Sequence, residues 1–429
     1  KCHTAKYMEG FIMKKKILAI FLVVAIVAAL AVGLTACKKD DGKTNNYPDI
    51  KIGMLCLHDR NSTYDKNFIE AMEEVQRELG LRDDQVIIKT GIPEDDTCYQ
   101  EAMNLVDAGC NIIFADSFGH EAYMLKAAKK APKVLFAHAT GTRAHTENLP
   151  NFVNAFASIY EGRFLAGVAA GLKLNEMAKG DVATAEEAKI GYVGAYTYAE
   201  VVSGYTSFYL GAKSVCPNVT MDVQFTGSWY DETAEKEAAN LLIGKGCKLI
   251  SQHADSMGAP NACEAAGIPN VSYNGSTAKA CPNTFIVSSR INWAPYYKYL
   301  ADQMQNAKGD VKKANVKTDW TGTIATGSVE LTAFGTAAAA GTAEKVAEIK
   351  AKLMNGTLNV FDTATFTKDG ATLKTYMANV NFEADEKGFD NNTPDTQVIE
   401  NGIFFESKHR SAPYFDVKID GITLLNTKF

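Results

Sequence analysis

Histidine is scarce in this chain of 429 residues, with seven in all, and none stands at ligand spacing from a cysteine. The nine cysteines contain no C-x-x-C pair. These gaps exclude a zinc finger and a dithiol redox centre, because both need closely spaced ligands or thiols. Basic residues are outnumbered, 44 Lys and Arg against 50 Asp and Glu, and they form no stripe. Nucleic acid is therefore not an expected partner, since phosphate contacts require clustered positive charge. The stretch Ile190-Gly191-Tyr192-Val193-Gly194 lacks the G-x-G-x-x-G spacing of a dinucleotide site. No nucleophile is placed beside a base, and neither His138 nor His253 has a second ligand at a fixed offset, so both read as ordinary hydrogen-bonded histidines. No metal, cofactor or catalytic residue is expected. Internal repeats and long low-complexity tracts are missing as well.

What is present is a chain too long for one compact core, with 46% hydrophobic and 22% charged residues, which predicts two folded domains plus extras. The N-terminus reads as a targeting segment, residues 1–36, with Met13 as its natural start. Lys14-Lys15-Lys16 precedes an apolar run from Ile17 to Leu34, and Leu34-Thr35-Ala36-Cys37 ends it. This resembles a bacterial lipoprotein signal, in which Cys37 would carry the lipid. A plain membrane anchor is the alternative, as the run is just long enough to span. Either reading places the body outside the cytoplasmic membrane. Residues 37–49 form a polar tether. Seven cysteines remain in the body, several inside apolar runs, where cysteine acts as a small hydrophobe; one or two disulfides within Cys216 to Cys281 stay open.

From Ile50 onward, short apolar strands alternate with helical patterns. Val219 to Phe225 alternates apolar with polar, Asp231 can cap a helix carrying Ala234, Ala238, Leu241 and Leu242, and an apolar strand then ends at Gln252-His253-Ala254-Asp255. Ligands bind along the strand-end edge of such β-α-β units, which puts Trp229 and Asp255 at one crevice. A first series runs from Ile50 to Phe156. After the long apolar helix Phe164 to Met177, whose Ala166-Gly167-Val168-Ala169-Ala170-Gly171 core permits close approach to a sheet, a second series runs to Ser288. The expected fold is α/β, two lobes each with a parallel sheet flanked by helices and a hinged cleft between them. Lobe 1 takes residues 50–157 and 289–312, lobe 2 takes 158–288, and 313–429 is a C-terminal extension completing the lobes. Crossings are expected near Ser158 and Ser289. Phe382 to Asn401 is polar and reads as a surface loop or hairpin region.

Several segments carry a resemblance: Ser117-Phe118-Gly119, His138-Ala139-Thr140-Gly141, Tyr160-Glu161-Gly162-Arg163, Trp229-Tyr230-Asp231, Gln252-His253-Ala254-Asp255, Tyr273-Asn274 and Asn292-Trp293-Ala294-Pro295. In this order and spacing, from about Lys51 to Leu358, the chain resembles the basic membrane protein (BMP) family, lipoproteins that serve ABC importers of purine nucleosides. The resemblance implies the two-lobed type I periplasmic-binding-protein fold and a base stacked between aromatic rings. Trp229 matches the ring of the second lobe. The family motif D-x-S-F-N is met by Asp65, with Asn67 in place of Ser, Phe68 retained and Ile69 in place of Asn. Asp255 matches the acid that binds ribose hydroxyls or a base edge, and Asn274 stands where relatives carry another polar group. Ser117 is a candidate polar contact. Phe118 and Trp293 are candidate cleft aromatics or lid residues, and Arg163 can make a hinge salt bridge.

The resulting expectation is a lipid-anchored, monomeric, non-enzymatic receptor that passes a purine nucleoside or nucleobase to a membrane permease. Riboflavin or a sugar is the alternative ligand, and a signalling receptor the alternative partner. A surface hydrolase would need paired carboxylates, for which Asp116 and Asp255 are the available acids.

Overall fold

The computed structural model describes residues 46–180, 182–380 and 395–428. The stretch read as a targeting segment, the candidate lipidation residue Cys37, most of the expected tether and the larger part of the 382–401 stretch lie outside them.

The first β-α series folds as read. It comprises β1 (Ile52–Leu55), α1 (Thr63–Leu79), β2 (Val86–Lys89), α2 (Asp96–Asp107), β3 (Ile112–Ala115), α3 (Glu121–Lys130), β4 (Leu135–Ala139), the short α4 (Ala144–Glu147) and β5 (Phe152–Ala157). All residues of β1, β3, β4 and β5 are buried, as expected of parallel strands covered on both faces. Helix α1 starts where Ser62 accepts the Asp65 backbone N–H, and it stops at Gly80, whose φ of 66° suits only a residue free of Cβ strain.

The second series holds α5 (Ile159–Met177), β6 (Lys189–Gly194), α6 (Ala199–Lys213), β7 (Thr220–Phe225), α7 (Glu232–Gly244), β8 (Leu249–His253), α8 (Gly258–Ala266), β9 (Asn270–Tyr273) and β10 (Phe285–Ile291). Asp231 caps α7 by accepting from Ala234 N. Helix α5 packs on strand β10 of the sheet, as expected, and its glycines also meet a second helix. A Cβ built on Gly167 would lie 2.0 Å from the Phe208 carbonyl oxygen of α6, and one on Gly211 would lie 2.0 Å from that of Phe164. Reciprocal glycines thus let two helices touch backbone to backbone.

The later chain returns to both sheets. Helix α9 (Ala294–Asn306) packs on α1, and β11 (Asp319–Gly322) runs parallel to β5. Strand β12 (Val329–Leu331) pairs antiparallel with β10, and α10 (Thr342–Met354) packs on α5. Two small hairpin pairs follow: β13 (Met377–Ala378) with β14 (Thr396–Gln397), and β15 (Ile399–Glu400) with β16 (Ile403–Phe404). Strand β17 (Ile422–Leu424) closes the edge beside β7 in parallel. The sheet orders are β11-β5-β4-β3-β1-β2 and β12-β10-β9-β8-β6-β7-β17.

The chain changes sheet at Ser158, at Asn292-Trp293 and between Gly322 and Val329. The second change falls after Ile291 rather than at Ser289, because β10 keeps pairing with β12 to that residue. Three connecting segments thus join the two sheets, an arrangement compatible with hinge closure. All seven body cysteines are free and buried, so no disulfide braces either lobe.

Candidate functional site

A cavity of about 280 Å3 opens where the strand ends of the two sheets face each other, close to the lower end of the range for small-molecule sites. The first sheet contributes Leu57 and His58 after β1, Tyr64 and Asp65 in the first turn of α1, Ser117 and Phe118 after β3, and Thr140 and Thr142 after β4. The second contributes Thr197, Tyr198 and Glu200 after β6, Trp229 after β7, His253 and Asp255 at the end of β8, and Tyr273 at the end of β9. A third wall comes from the C-terminal segment: Asn379, Arg410, Ala412, Pro413, Tyr414 and Asp416.

Five of the residues singled out in the sequence line this cavity: Asp65, Ser117, Phe118, Trp229 and Asp255. Four do not. Phe68 is fully buried and stacks on Trp293 at 4.4 Å, with Phe114 and Tyr296 around the pair. Both rings belong to the lobe 1 core, because a residue three positions past Asp65 on α1 faces one turn deeper. Asn67 is consumed by structure: its Nδ2 donates to the Ile291 carbonyl at 2.6 Å, tying α1 to the chain where it leaves β10. Asn274 is buried behind the wall in a left-handed turn, φ 64°, and its N–H donates to Ser289 O at 2.9 Å.

The polar groups differ sharply in how they are held. Burial pushes the Asp65 carboxyl upward, but hydrogen bonds from His58 and Ser62 outweigh it and hold the group below its ordinary value. The bonds are His58 N to Oδ1 at 2.7 Å and Ser62 Oγ to Oδ2 at 2.6 Å. Asp116, behind it, is pushed well above the carboxylate range by burial and by the Asp65 charge. Its carbonyl accepts from Tyr64 Oη at 2.7 Å, which fixes that ring on the wall. His253 donates from Nε2 to Glu200 at 2.8 Å and is held neutral chiefly by burial. His138 is likewise spent on structure, against the Ser117 carbonyl at 2.6 Å. Arg163 makes no hinge salt bridge among the described residues; it donates to Gln252 O at 2.8 Å and stacks 3.5 Å over the Tyr273 ring.

Asp255 faces the cavity itself. It is 6% exposed, and among the described residues no hydrogen bond reaches its carboxyl group, whereas Arg163 Nε and Nη2 and Asn274 Nδ2 lack partners behind the wall. Burial, then the charges of Asp65, Glu235 and Glu200, push it well above the usual range. A buried polar group without a partner is costly, so this one calls for donors from whatever fills the cavity. Around it stand flat apolar surfaces. Phe118 lies 5.4 Å from Tyr198 across the cleft, and Trp229 stands edge-on to Tyr196 at 5.1 Å. Thr140 holds φ 63° at the wall, a strained setting for a β-branched residue and one met mainly at functional sites.

Among the described residues, Cys56, Asp65 and Asp116 come close enough together to suggest a cation site, with ligand atoms within 4.8 Å. Their chemistry argues against one. Burial raises the Cys56 thiol well above its usual value and keeps it protonated, and Asp65 already accepts from Ser62 and His58.

An acceptor without a partner, facing aromatic rings across a hinged cleft, is the architecture of a solute receptor. A family model described as ABC transporter substrate-binding protein, PnrA-like, matches residues 56–363. The chain belongs to this Bmp family. A purine-binding protein of Brucella abortus is 30% identical over 353 residues, 82% of this chain and 91% of that protein. A putative ABC transporter glucose-binding protein of Haloferax volcanii is 30% identical over 256 residues, 60% of each chain. An ABC transporter solute-binding protein from Conexibacter woesei superposes with a TM-score of 0.57 at 20% identity, covering 72% of this chain and 98% of that one. As a Bmp-family protein the chain is a substrate-binding component of an ABC system, which works on the extracytoplasmic side with a small-molecule ligand and a permease. Among the described residues no helix is long and apolar enough to cross a membrane.

Sequence reasoning missed the third wall. Arg410 is buried and spends its guanidinium on the carbonyls of Ala412, Val380 and Pro413 at 2.9–3.1 Å. Ser411 beside it donates to Asp319 Oδ1 at 2.8 Å, pinning the segment to β11. The only signal was local: an Arg and a Tyr within a Pro-containing apolar run, Arg410 to Val417.

Proposed function

We infer that this Bmp protein captures a purine nucleoside or nucleobase between its lobes and presents the closed complex to a permease. The unpartnered Asp255 carboxyl carries the reading: it would accept from ribose hydroxyls or from a base edge. Trp229, Phe118 and Tyr198 would cover the faces of the ring, and such aromatic contact adds about 0.5–1.5 kcal/mol beyond area burial. Asp65 and Ser117 would supply the polar contacts of the first lobe. The likeness to a purine-binding relative over most of both chains supports the same ligand class.

The protein carries out no chemistry on its ligand in this reading. Asp116, the second acid a hydrolase would need, is fully buried and off the cavity wall, which supports binding without turnover. It works as a monomer, anchored by a lipid on Cys37 at the extracytoplasmic face.

The test is mass spectrometry of the small molecule released on denaturing the freshly purified protein, followed by calorimetric titration with inosine, guanosine, adenosine and adenine. A purine in the released fraction and binding well below millimolar are expected. Release of glucose or riboflavin, with no purine binding, would replace the ligand and leave the receptor.

A further inference from the structure

A second cavity, of about 470 Å3, lies beside the hinge and apart from the cleft. Its wall includes Ser158 and Thr321, which flank two of the crossings between the sheets, and residues of the segment from Leu353 to Lys408. We propose that this cavity is a binding site for a small organic cation, with Glu406 and Glu161 as counter-charges and the rings of Tyr160, Phe361 and Phe405 as its apolar walls.

Four observations lead there. Glu406 is 2% exposed and lines the cavity, yet its Oε1 has no hydrogen-bond partner among the described residues. The other oxygen, Oε2, is occupied by the Ser203 hydroxyl. Among the described residues Glu161 accepts at Oε2 alone, from Ile324 N at 2.7 Å. Ser407 Oγ, also on the wall, is a second buried oxygen without a partner among the described residues. A hydroxyl can donate or accept, whereas an ionised carboxylate only accepts, so two carboxyl groups on one wall favour a donor that carries positive charge.

The rest of the wall selects the kind of cation. Tyr160 and Phe361 lie 5.1 Å apart, and Phe361 and Phe404 lie 6.4 Å apart. Phe405, 39% exposed, stands at the mouth. Aromatic faces attract ammonium groups and give nothing to a hydrated divalent ion, which needs six or more oxygens at fixed distance. The one lysine on the wall, Lys408, has its ammonium paired with Glu400, and Arg410, off this wall, lowers Glu406 without overcoming its burial. Burial raises Glu406 to about 8 and Glu161 to about 7, as expected of acids waiting for a counter-charge.

The experiment is calorimetric titration of the purified full chain with isobutylamine, whose ammonium carries N–H donors, and with its uncharged isostere, isobutanol. Saturable isobutylamine binding is expected, with the alcohol about tenfold weaker or undetectable. Glu406→Gln should weaken isobutylamine about tenfold or more, since a hydrogen bond to a charged group is lost. If that variant does not fold, as judged by circular dichroism, Phe405→Ala at the exposed mouth replaces it and should weaken isobutylamine several-fold. No saturable isobutylamine binding, equal affinity for the amine and the alcohol, or unchanged affinity in the folded variants would each overturn the proposal.

Discussion

The backbone carbonyl of Asp255 accepts two hydrogen bonds from Thr63, from its N–H at 3.0 Å and its hydroxyl at 3.2 Å. Thr63 opens the helix α1 of the first lobe, and Asp255 lies two residues past the end of β8 in the second. The residue that offers its carboxyl to the cavity therefore also latches the lobes through its main chain, so binding and closure share one residue. Position Thr63 is the first of its helix, where proline is tolerated because the N–H has no partner inside the helix. Ser62 before it is already extended, ψ 127°, as a residue preceding proline must be. Thr63→Pro should thus remove both latch bonds and spare the helix. Purine affinity should fall about two- to tenfold, the worth of a net hydrogen bond or two, and small-angle scattering should show a wider ligand-free particle. An unchanged Kd would mean that the latch does not help hold the closed form.

Asp255→Asn tests the acceptor itself. Asparagine keeps the size but halves the accepting capacity and removes the charge. The dissociation constant of a nucleoside should rise about tenfold or more, in line with a hydrogen bond to a charged group. Because burial raises the folded-state pKa of Asp255, wild-type affinity should improve as pH rises and the group ionises. The asparagine variant should show a flatter pH profile by titration calorimetry.

Much of this site was legible because parallel α/β sheets place function at strand ends. Trp229 and Asp255 each follow an apolar strand, and the apolar alternation and the Asp231 cap locate both without any knowledge of the third dimension. The resemblance to the Bmp family was less reliable one residue at a time. It gave Asp65 and Phe68 together, although Phe68, one turn further along α1, lies in the core beneath the cavity wall. The C-terminal wall was illegible for another reason. Among the described residues of 359–417 the strands are two residues long, so no period announces them, and Arg410 and Tyr414 line the cleft from this segment. The Thr63 latch ends on the main-chain carbonyl of Asp255, to which side-chain patterning is blind.

Phe68→Ala separates a core role from a ligand role. The ring is fully buried and stacked on Trp293, and removing it leaves a cavity that a parallel sheet cannot close. Urea denaturation should show a loss of about 3–5 kcal/mol. Purine affinity of the remaining folded fraction should stay close to wild type. A large affinity loss with normal stability would return Phe68 to the binding surface.

Gly167→Ala probes the helix contact that organises lobe 2. The added methyl would meet the Phe208 carbonyl, a backbone atom that cannot rotate away. Helix propensity alone would favour alanine by about 1 kcal/mol. The clash should reverse that sign and cost about 1–3 kcal/mol, read as a lower melting temperature. A rise in melting temperature would show that the two helices can part without penalty.

The carboxyl of Glu406 should make the stability of the ligand-free protein depend on pH in a direction opposite to that of Asp65. Burial raises Glu406 from 4.5 to about 8, with the Ser203 hydrogen bond opposing and the charges of Glu200 and Glu161 reinforcing the rise, while Arg410 lowers it. An acid with a raised folded-state pKa binds its proton more tightly in the native state than in the unfolded chain. Its contribution is full below about 4.5, declines as the pH climbs towards 8, and falls no further above that. The loss across the window should be on the order of a few kcal/mol. Glu406→Gln keeps an acceptor for Ser203 and does not titrate. The melting temperature of this variant should therefore gain on wild type steadily between pH 5 and pH 8, about the span of the shift. Glu161 and Glu235, each raised by burial to about 7, titrate in both proteins and cancel in the difference. A difference that does not change with pH would mean that Glu406 is ionised throughout, and that something other than a proton already compensates it.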